Sequence, residues 1–245
     1  MDNILKIAKK FNLKIIEDAA HCIEGFYKGK KVGAIGDCGS FSFYATKNIT
    51  TAEGGMFVTN NKKLADYVRL FSMQGISSDA WNRTKKQKYY DVVMQGFKYN
   101  MADINAAIGI HQLKKINEFY KIRLKQWKIY LEELGGSGLI LPYLPEEKGT
   151  VHALHLFTIL VDKKECGISR NELKNKLEEK GIGTGIHFIS LHNHKYFKKN
   201  FGFKKNDFPN ANYISDKTLS LPIGPSITEE EQEYVINVIR KILRN

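Results

Sequence analysis

The sequence lacks proline in its first 141 residues and contains no long apolar run. All five prolines lie between residues 142 and 225. The most apolar stretch, HLFTILV at 155 to 161, is far shorter than the roughly 20 residues of a membrane helix. The opening residues MDNILKIAKKFNLK have a helical period and no continuous apolar core, so no signal peptide is predicted. A membrane span is therefore excluded, and a cytoplasmic location is predicted.

Cysteine is scarce, and acidic residues are outnumbered by basic ones. Cys22, Cys38 and Cys166 are an odd number without a CxxC spacing, so neither a disulfide framework nor a metal site is predicted. The 38 basic and 26 acidic side chains give a net charge of +12. The lysines are spread through helices and loops instead of being gathered with stacking aromatics, so nucleic-acid binding is not predicted. A positive field does favour a phosphate-bearing small molecule.

Apolar patterns predict an α/β fold in two parts. Strands are predicted at LKII (13 to 16), GSFSFY (39 to 44), MFVT (56 to 59) and LHLFTILV (154 to 161), and they alternate with helical patterns. A long helix is predicted from about Asp103 to Leu134, with Gly135 as its cap. GGSG at 135 to 138 and the prolines after it favour a boundary there. Residues 1–135 are therefore predicted to belong to a large domain with a mainly parallel sheet, and residues 136–245 to a smaller C-terminal α/β domain.

One lysine, Lys47, lies between an aromatic strand and a Gly-Gly turn in FSFYATKNITTAEGG. Upstream, Asp18 ends the apolar strand of IIEDAAH, and ligands collect at the carboxyl ends of strands in open α/β sheets. An acid after a strand is more often a turn former or a helix cap, and Lys47 alone is one more surface lysine. Together with Ser42, five residues before Lys47, they form a set that can hold pyridoxal 5'-phosphate (PLP).

Each of these residues has a physical role in a PLP site. Lys47 would form the Schiff base with the cofactor aldehyde and then, as a free amine, move a proton between carbons. Asp18 would pair with the pyridine nitrogen and keep the ring able to accept electrons. Ser42 would donate its hydroxyl to the phosphate, and His21 would hydrogen-bond near the phenolic oxygen or the substrate.

Several separated blocks of the sequence form a recognisable series in a fixed order. The blocks are IIEDAAH, GDCGSFSFYATKNITTAEGGMFVTNN, DAWNR, GFKYNMADINAAIGIHQL, HLFTI, GIGTGIHFISLH and LSLPIGPSIT. Together they resemble the nucleotide-sugar aminotransferases of the DegT/DnrJ/StrS family. The resemblance implies a PLP-dependent transferase fold of the aspartate aminotransferase type, acting as a homodimer with its active sites at the subunit interface. It also implies transfer of an amino group, usually from glutamate, to a keto sugar carried on a nucleotide diphosphate.

The sequence departs from the family pattern at a few positions. In GFKYN, Lys98 stands where an asparagine often reaches the cofactor phosphate of the neighbouring subunit, and a lysine can also bind phosphate. Gln74 replaces a common histidine, and Ala52 replaces a glycine in the loop after Lys47. By the same resemblance, His187 in IHFISLH is expected near the substrate, in a block that tends to lie near the substrate or the site of the partner subunit.

The resemblance begins at a segment that family members reach only after a long N-terminal portion. The chain is therefore expected to be the later part of such an enzyme. An inactive or regulatory member of the same fold remains an alternative. A related sugar dehydratase is disfavoured because those relatives carry histidine in place of the Schiff-base lysine.

Overall fold

The computed structural model describes residues 1–77 and 90–244 and divides into two compact units. Unit 1 consists of Met1–Asn117 with Pro145–Ala153, and unit 2 consists of Glu118–Leu144 with Leu154–Asn245. The boundary between residues 135 and 136 remains a prediction about the domains. The DAWNR block, at 79 to 83, lies outside the described residues.

Unit 1 contains a three-stranded sheet in the order β1, β4, β5. β1 (Ile16–Asp18) pairs in parallel with β4 (Cys38–Ser42), and β4 pairs antiparallel with β5 (Gly55–Val58). The ladder of β1 thus begins three residues later than the predicted strand 13–16 and includes Asp18. β5 returns antiparallel because the loop after β4 folds back on itself. Within the described residues, the sheets are therefore mixed, which corrects the expectation of a mainly parallel sheet.

The side chains of this sheet alternate between two faces. Asp18 lies opposite Ser40 in the parallel pair, and Ser42 follows two residues later, so these three side chains share one face. The opposite face carries Glu17 on β1 and Phe41 on β4. The residue pattern of β1 and β4 thus places Asp18, Ser40 and Ser42 on one face and Glu17 and Phe41 on the other.

A short hairpin and a distant segment complete unit 1 beside the sheet. β2 (Phe26–Tyr27) and β3 (Lys30–Lys31) form the hairpin. The segment 145–153 returns to it: Phe26 and Val151 exchange backbone hydrogen bonds of 3.1 and 2.8 Å. Residues far apart in the sequence therefore share one unit.

In the described part of unit 1, the helices are α1 (Asp2–Phe11), α2 (Lys62–Ser72) and α3 (Asp103–Lys114), followed by α4 (Ile116–Glu133). The predicted helical stretch from about Asp103 to Leu134 is present, but it is divided into two helices at Lys115. The Lys115 amide hydrogen bonds to Gln112 O, three residues back, at 3.1 Å. This tighter spacing is that of a 3₁₀ turn, which breaks the α-helical ladder.

Unit 2 packs helices against a two-stranded antiparallel sheet, β6 (Phe157–Leu160) with β7 (Thr218–Leu221). β6 starts later than predicted because Leu154 and Leu156 have left-handed φ angles of 57° and 64°, which strand residues do not adopt. Besides most of α4, the helices are α5 (Lys163–Cys166), α6 (Arg170–Glu178), α7 (Lys195–Phe201), α8 (Pro209–Lys217) and α9 (Glu229–Leu243), with 3₁₀ turns at Leu191–Asn193 and Lys205–Asp207.

The buried apolar side chains are concentrated in unit 2. Trp127, Tyr130 and Phe157 form an aromatic centre in which both other rings lie within 5 Å of the Phe157 ring centroid. In unit 1, by contrast, apolar side chains of α1 and the residues after it are more than half exposed, among them Phe11 and Ile16. No helix in the described ranges is long and apolar enough to cross a membrane.

Candidate active site

Asp18 and Ser42 lie at the ends of neighbouring parallel strands, on the same face of the sheet. Because β1 and β4 run in the same direction, their carboxyl ends meet at one edge. Asp18 is exposed and Ser42 is half-buried, so the Asp18 carboxylate is open to a ligand. This arrangement follows from the register that aligns Asp18 with Ser40.

Asp18 also performs the local role expected of an acid after a strand. Its Oδ1 accepts the backbone N–H of Ala20 at 3.1 Å, which forms a turn at the strand end. Among the residues that the structure describes, Oδ2 has no hydrogen-bond partner. One carboxylate oxygen therefore holds the turn, and the other is available to bind a cationic or N–H group.

Glu17, the residue before Asp18, is a buried carboxylate that the sequence analysis missed. Its Oε2 accepts the N–H of Gly33 at 2.9 Å, and its Oε1 accepts those of Ile35 and Gly36 at 2.6 and 2.7 Å. The side chain is only 8% exposed. Three backbone donors compensate its burial and fix the loop that leads into β4. The sequence feature that could have indicated this role is the presence of a second acid, Glu17, within the apolar strand that ends at Asp18.

The loop that carries Lys47 is fixed by backbone hydrogen bonds. Lys47 N donates to Tyr44 O at 3.0 Å, and Thr51 N donates to Phe43 O at 2.9 Å. From α3, Asn105 Nδ2 donates to Thr51 O at 2.5 Å. A Cβ at Gly54 would lie 2.3 Å from Thr51 Oγ1, so the glycine is needed for close approach.

The Lys47 side chain is half-buried. Within residues 1–77 and 90–244 its Nζ forms no hydrogen bond or ion pair. Exposed lysines such as Lys62 and Lys14 instead pair with Asp66 and Asp37. In the described part of the chain, no acid is thus paired with the Lys47 amine, which lies on a loop that begins at the end of β4.

The other predicted site residues occupy different parts of the two units. His21 is exposed in the turn after β1, three residues beyond Asp18. Lys98 is exposed in unit 1, where its backbone bridges to Met73 and its amine hydrogen bonds to Asn100. His187 belongs to unit 2, where its Nδ1 lies 2.8 Å from Ser220 Oγ. The predicted cofactor roles of His21 and Lys98 and the substrate role of His187 stay predictions.

Cys22 follows His21 but has the character of a neutral thiol. Burial raises its pKa, and the Glu24 carboxylate adds to the increase. A raised pKa leaves little thiolate at neutral pH, so Cys22 is a poor nucleophile. In the described part of the chain, no three His, Cys, Asp or Glu side chains are grouped as metal ligands would be.

An apolar cavity of about 510 Å³ lies on the face of the sheet opposite Asp18. Phe41, Met56 and Val58 line it from the sheet, and Ile110 and Leu113 line it from α3. These sheet residues alternate with Ser40 and Ser42, so the cavity and the Asp18 carboxylate are on opposite sides. The cavity is therefore separate from the predicted cofactor site.

A lysine loop beyond the acid- and hydroxyl-bearing ends of parallel strands is the arrangement expected of a PLP-dependent transferase. The chain belongs to the DegT/DnrJ/EryC1/StrS aminotransferase family, whose model matches residues 1–240. Aminotransferases of this family depend on PLP. The family resemblance, the cofactor class and the aspartate aminotransferase type of α/β fold are thus confirmed.

Individual relatives match nearly the whole chain. It is 47% identical over 246 residues to the uncharacterized protein MJ1066 of Methanocaldococcus jannaschii, covering 99% of this chain and 63% of the relative. It is 42% identical over 256 residues to the spore coat polysaccharide biosynthesis protein SpsC of Bacillus subtilis, covering 100% and 63%. Spr1654 of Streptococcus pneumoniae in its PLP form superposes with a TM-score of 0.84 at 28% identity, covering 97% and 60%. The chain thus spans about three fifths of the length of these relatives.

The residues present in unit 1 have the chemistry to hold PLP. Asp18 offers a free carboxylate oxygen for a protonated ring nitrogen, and Lys47 offers a primary amine for the aldehyde. Ser42 offers a hydroxyl on the Asp18 face. The donor set therefore fits the family cofactor.

Proposed function

We propose that the chain carries the lysine-bearing part of a PLP-dependent aminotransferase that acts on a keto sugar linked to a nucleotide. The observation that supports this proposal best is the common edge and face of Asp18 and Ser42, next to the loop of Lys47. When bound, PLP would supply an electron sink for the carbanion formed at the amino carbon. The protein residues would bind it, orient it and move protons.

Each residue has one task in this proposal. The free oxygen of Asp18 would accept a hydrogen bond from the ring N–H and keep that nitrogen protonated. Lys47 Nζ would hold the aldehyde carbon covalently and, when released, carry a proton at its amine. Ser42 and Lys98 would donate to the phosphate. His21 would hydrogen-bond near the phenolic oxygen, and His187 would contact the substrate.

The substrate side of the proposal rests on the family and on relatives. The family transfers amino groups, and SpsC takes part in spore coat polysaccharide biosynthesis. We propose a nucleotide-linked keto sugar as acceptor and glutamate as donor, and the name of SpsC supports a role in polysaccharide biosynthesis. The net charge of +12 would favour the diphosphate of such a substrate.

Borohydride reduction of the PLP-treated protein tests the role of Lys47. Reduction should fix a pyridoxyl group on Lys47, identified by peptide mass mapping, and Lys47→Ala should remove it. Lys62→Ala is the matched control because Lys62 is an exposed lysine of the same unit. A pyridoxyl group that stays in Lys47→Ala, or that is found mainly on other lysines, would contradict the proposal and favour an inactive or regulatory member of the fold.

Replacement of Asp18 by asparagine separates chemistry from folding. The amide can still accept the Ala20 N–H, so the turn should survive and the melting temperature should change little. Loss of the charge should lower aminotransferase turnover by orders of magnitude, because the ring nitrogen would no longer be held protonated. An unfolded Asp18→Asn variant would instead favour a structural role for Asp18.

We also propose a homodimer that works in the cytoplasm. Three apolar side chains of unit 1, Tyr99, Ile104 and Ile108, are 67%, 78% and 41% exposed and suit a protein contact. Sedimentation of the purified chain should give a dimer that Ile104→Lys dissociates. A monomer at micromolar concentration would contradict this part of the proposal.

A further inference from the structure

The residue after Lys47 is a buried asparagine with two long-range hydrogen bonds. Asn48 is 6% exposed. Its Nδ2 donates to Glu24 Oε2 at 2.6 Å and to Ala153 O at 2.7 Å. Both amide hydrogens of one side chain are thus used, one on a carboxylate and one on a backbone carbonyl.

The two acceptors come from separate parts of unit 1. Glu24, itself 6% exposed, lies six residues after Asp18, at the end of the turn region that contains His21. Ala153 is the last residue of the segment 145–153. Asn48 therefore joins three stretches of chain: the one after β1, the loop of Lys47 and the returning segment.

An amide is the side chain that these two acceptors require. A carboxylate at position 48 would have no hydrogen to donate and would face the buried Glu24 carboxylate. An apolar side chain of similar size would leave both acceptors without this donor. The bond to Glu24 is charge-assisted and buried, which makes it stronger and more directional than an exposed amide bond.

We propose that Asn48 is a positioning residue for Lys47. The backbone hydrogen bonds of Lys47 and Thr51 hold the loop at two positions, and the Asn48 side chain holds it between them. Since Asn48 is covalently next to Lys47, its anchoring sets the position of the Lys47 Cα and the direction of the Lys47 side chain. This inference rests on the proposed role of Lys47 as the lysine that binds PLP.

The test compares wild-type protein with Asn48→Asp, using PLP and borohydride. In each sample, the pyridoxyl yield at Lys47 is divided by that at the exposed Lys62, which corrects for reagent. Asn48→Asp should lower this ratio by about tenfold or more, because displacements of about 1 Å have such effects on reacting groups. In the cofactor-free protein, the amides of Lys47 and Thr51 should also exchange hydrogen faster, while those of α9 remain unchanged.

A second substitution supplies the rescue. Adding Glu24→Gln to Asn48→Asp places a new donor opposite the new carboxylate, so the labelling ratio should rise again by about threefold or more. If Asn48→Asp does not fold, Glu24→Ala provides the same comparison, because it removes the carboxylate acceptor and keeps the Ala153 bond. It should lower the ratio by about threefold. Ala65→Gly in α2 is the control for general destabilisation and should keep the wild-type ratio.

The outcomes separate the two proposals. A wild-type protein without preferential labelling of Lys47 would overturn its cofactor role, and the amide exchange of the loop would still test the anchoring by Asn48. Wild-type labelling ratios and amide exchange in Asn48→Asp or in Glu24→Ala would overturn the positioning role and leave the cofactor role intact. A lowered ratio in Asn48→Asp that the added Glu24→Gln does not raise would also overturn it.

Discussion

Replacement of Glu17 by glutamine should weaken unit 1 without unfolding unit 2. The carboxylate accepts three backbone N–H groups, and hydrogen bonds to a charged group contribute about 1.5–3 kcal/mol each, against about 0.5–1.5 for neutral ones. The amide oxygen can keep the bonds from Ile35 and Gly36 as neutral bonds, whereas the amide NH₂ would face the Gly33 N–H. The lost bond and the two weakened bonds amount to roughly 3–5 kcal/mol.

Part of this loss is offset because an amide is easier to bury than a carboxylate. We therefore expect a net destabilisation of about 2–4 kcal/mol, which corresponds to a urea midpoint lower by about 1–2 M at a typical slope of about 2 kcal/mol per M. Glu53→Gln is the control, since Glu53 is an exposed acid of the same unit and should change stability by less than about 0.5 kcal/mol.

The assay must report on each unit separately, because two units need not unfold together. Amide exchange of Gly33, Ile35 and Gly36 reports on the loop in unit 1. Trp127 is 1% exposed in unit 2, and Trp81→Phe leaves it as the only tryptophan. The Trp127 fluorescence transition should be unchanged in Glu17→Gln. Unchanged exchange at the three loop amides, with an unchanged midpoint, would refute the reasoning.

Three further perturbations test other features of the fold. Ala52 has a left-handed φ of 66°, which glycine adopts without strain. Ala52→Gly should therefore raise the unfolding free energy of unit 1, measured by urea denaturation, by about 0.5–1 kcal/mol. Ala65→Gly in α2 should instead lower it by about 1 kcal/mol. Burial lowers the pKa of His152 below its ordinary 6.5. The stability of unit 1 should therefore be highest above pH 6.5 and should fall as the pH drops from 6.5 toward the lower pKa of the folded state. His152→Gln should remove this pH dependence of the melting temperature. The Thr228 hydroxyl caps α9 by accepting the Glu231 N–H at 3.1 Å. Thr228→Ala should therefore lower the unfolding free energy of unit 2 by about 1 kcal/mol, measured by the Trp127 fluorescence transition.

Local patterns predicted the strands near Ser42 and Met56 because their side chains alternate or form short apolar runs. The break at Lys115 could not be predicted in the same way. The sequence there has no proline or glycine, and the apolar period continues through it. At the interruption the Lys115 amide bonds to Gln112 O, three residues back, and no residue type in the sequence marks that position.

Lys47, Asp18 and Ser42 could be proposed from the sequence because each lies at the end of a recognisable strand or, for Lys47, in the loop directly after one. Glu17 and Asn48 could not, since their partners are distant in the chain. Asn48 reaches a carbonyl 105 residues away, and no local pattern indicates that carbonyl. Short-range periodicity thus locates chemical groups at strand ends, whereas long-range contacts decide what holds them in place.

The return of residues 145–153 to unit 1 has a consequence for folding during synthesis. Domains generally fold as they emerge from the ribosome, starting from the N-terminus. The hairpin β2–β3 and Asn48 emerge early, but Val151 and Ala153, which bond to them, emerge only after residues 118–144 of unit 2. The nascent chain therefore cannot complete unit 1 until residues 118–144 of unit 2 have also been made, so a strict order in which unit 1 is finished before any of unit 2 is synthesised is excluded.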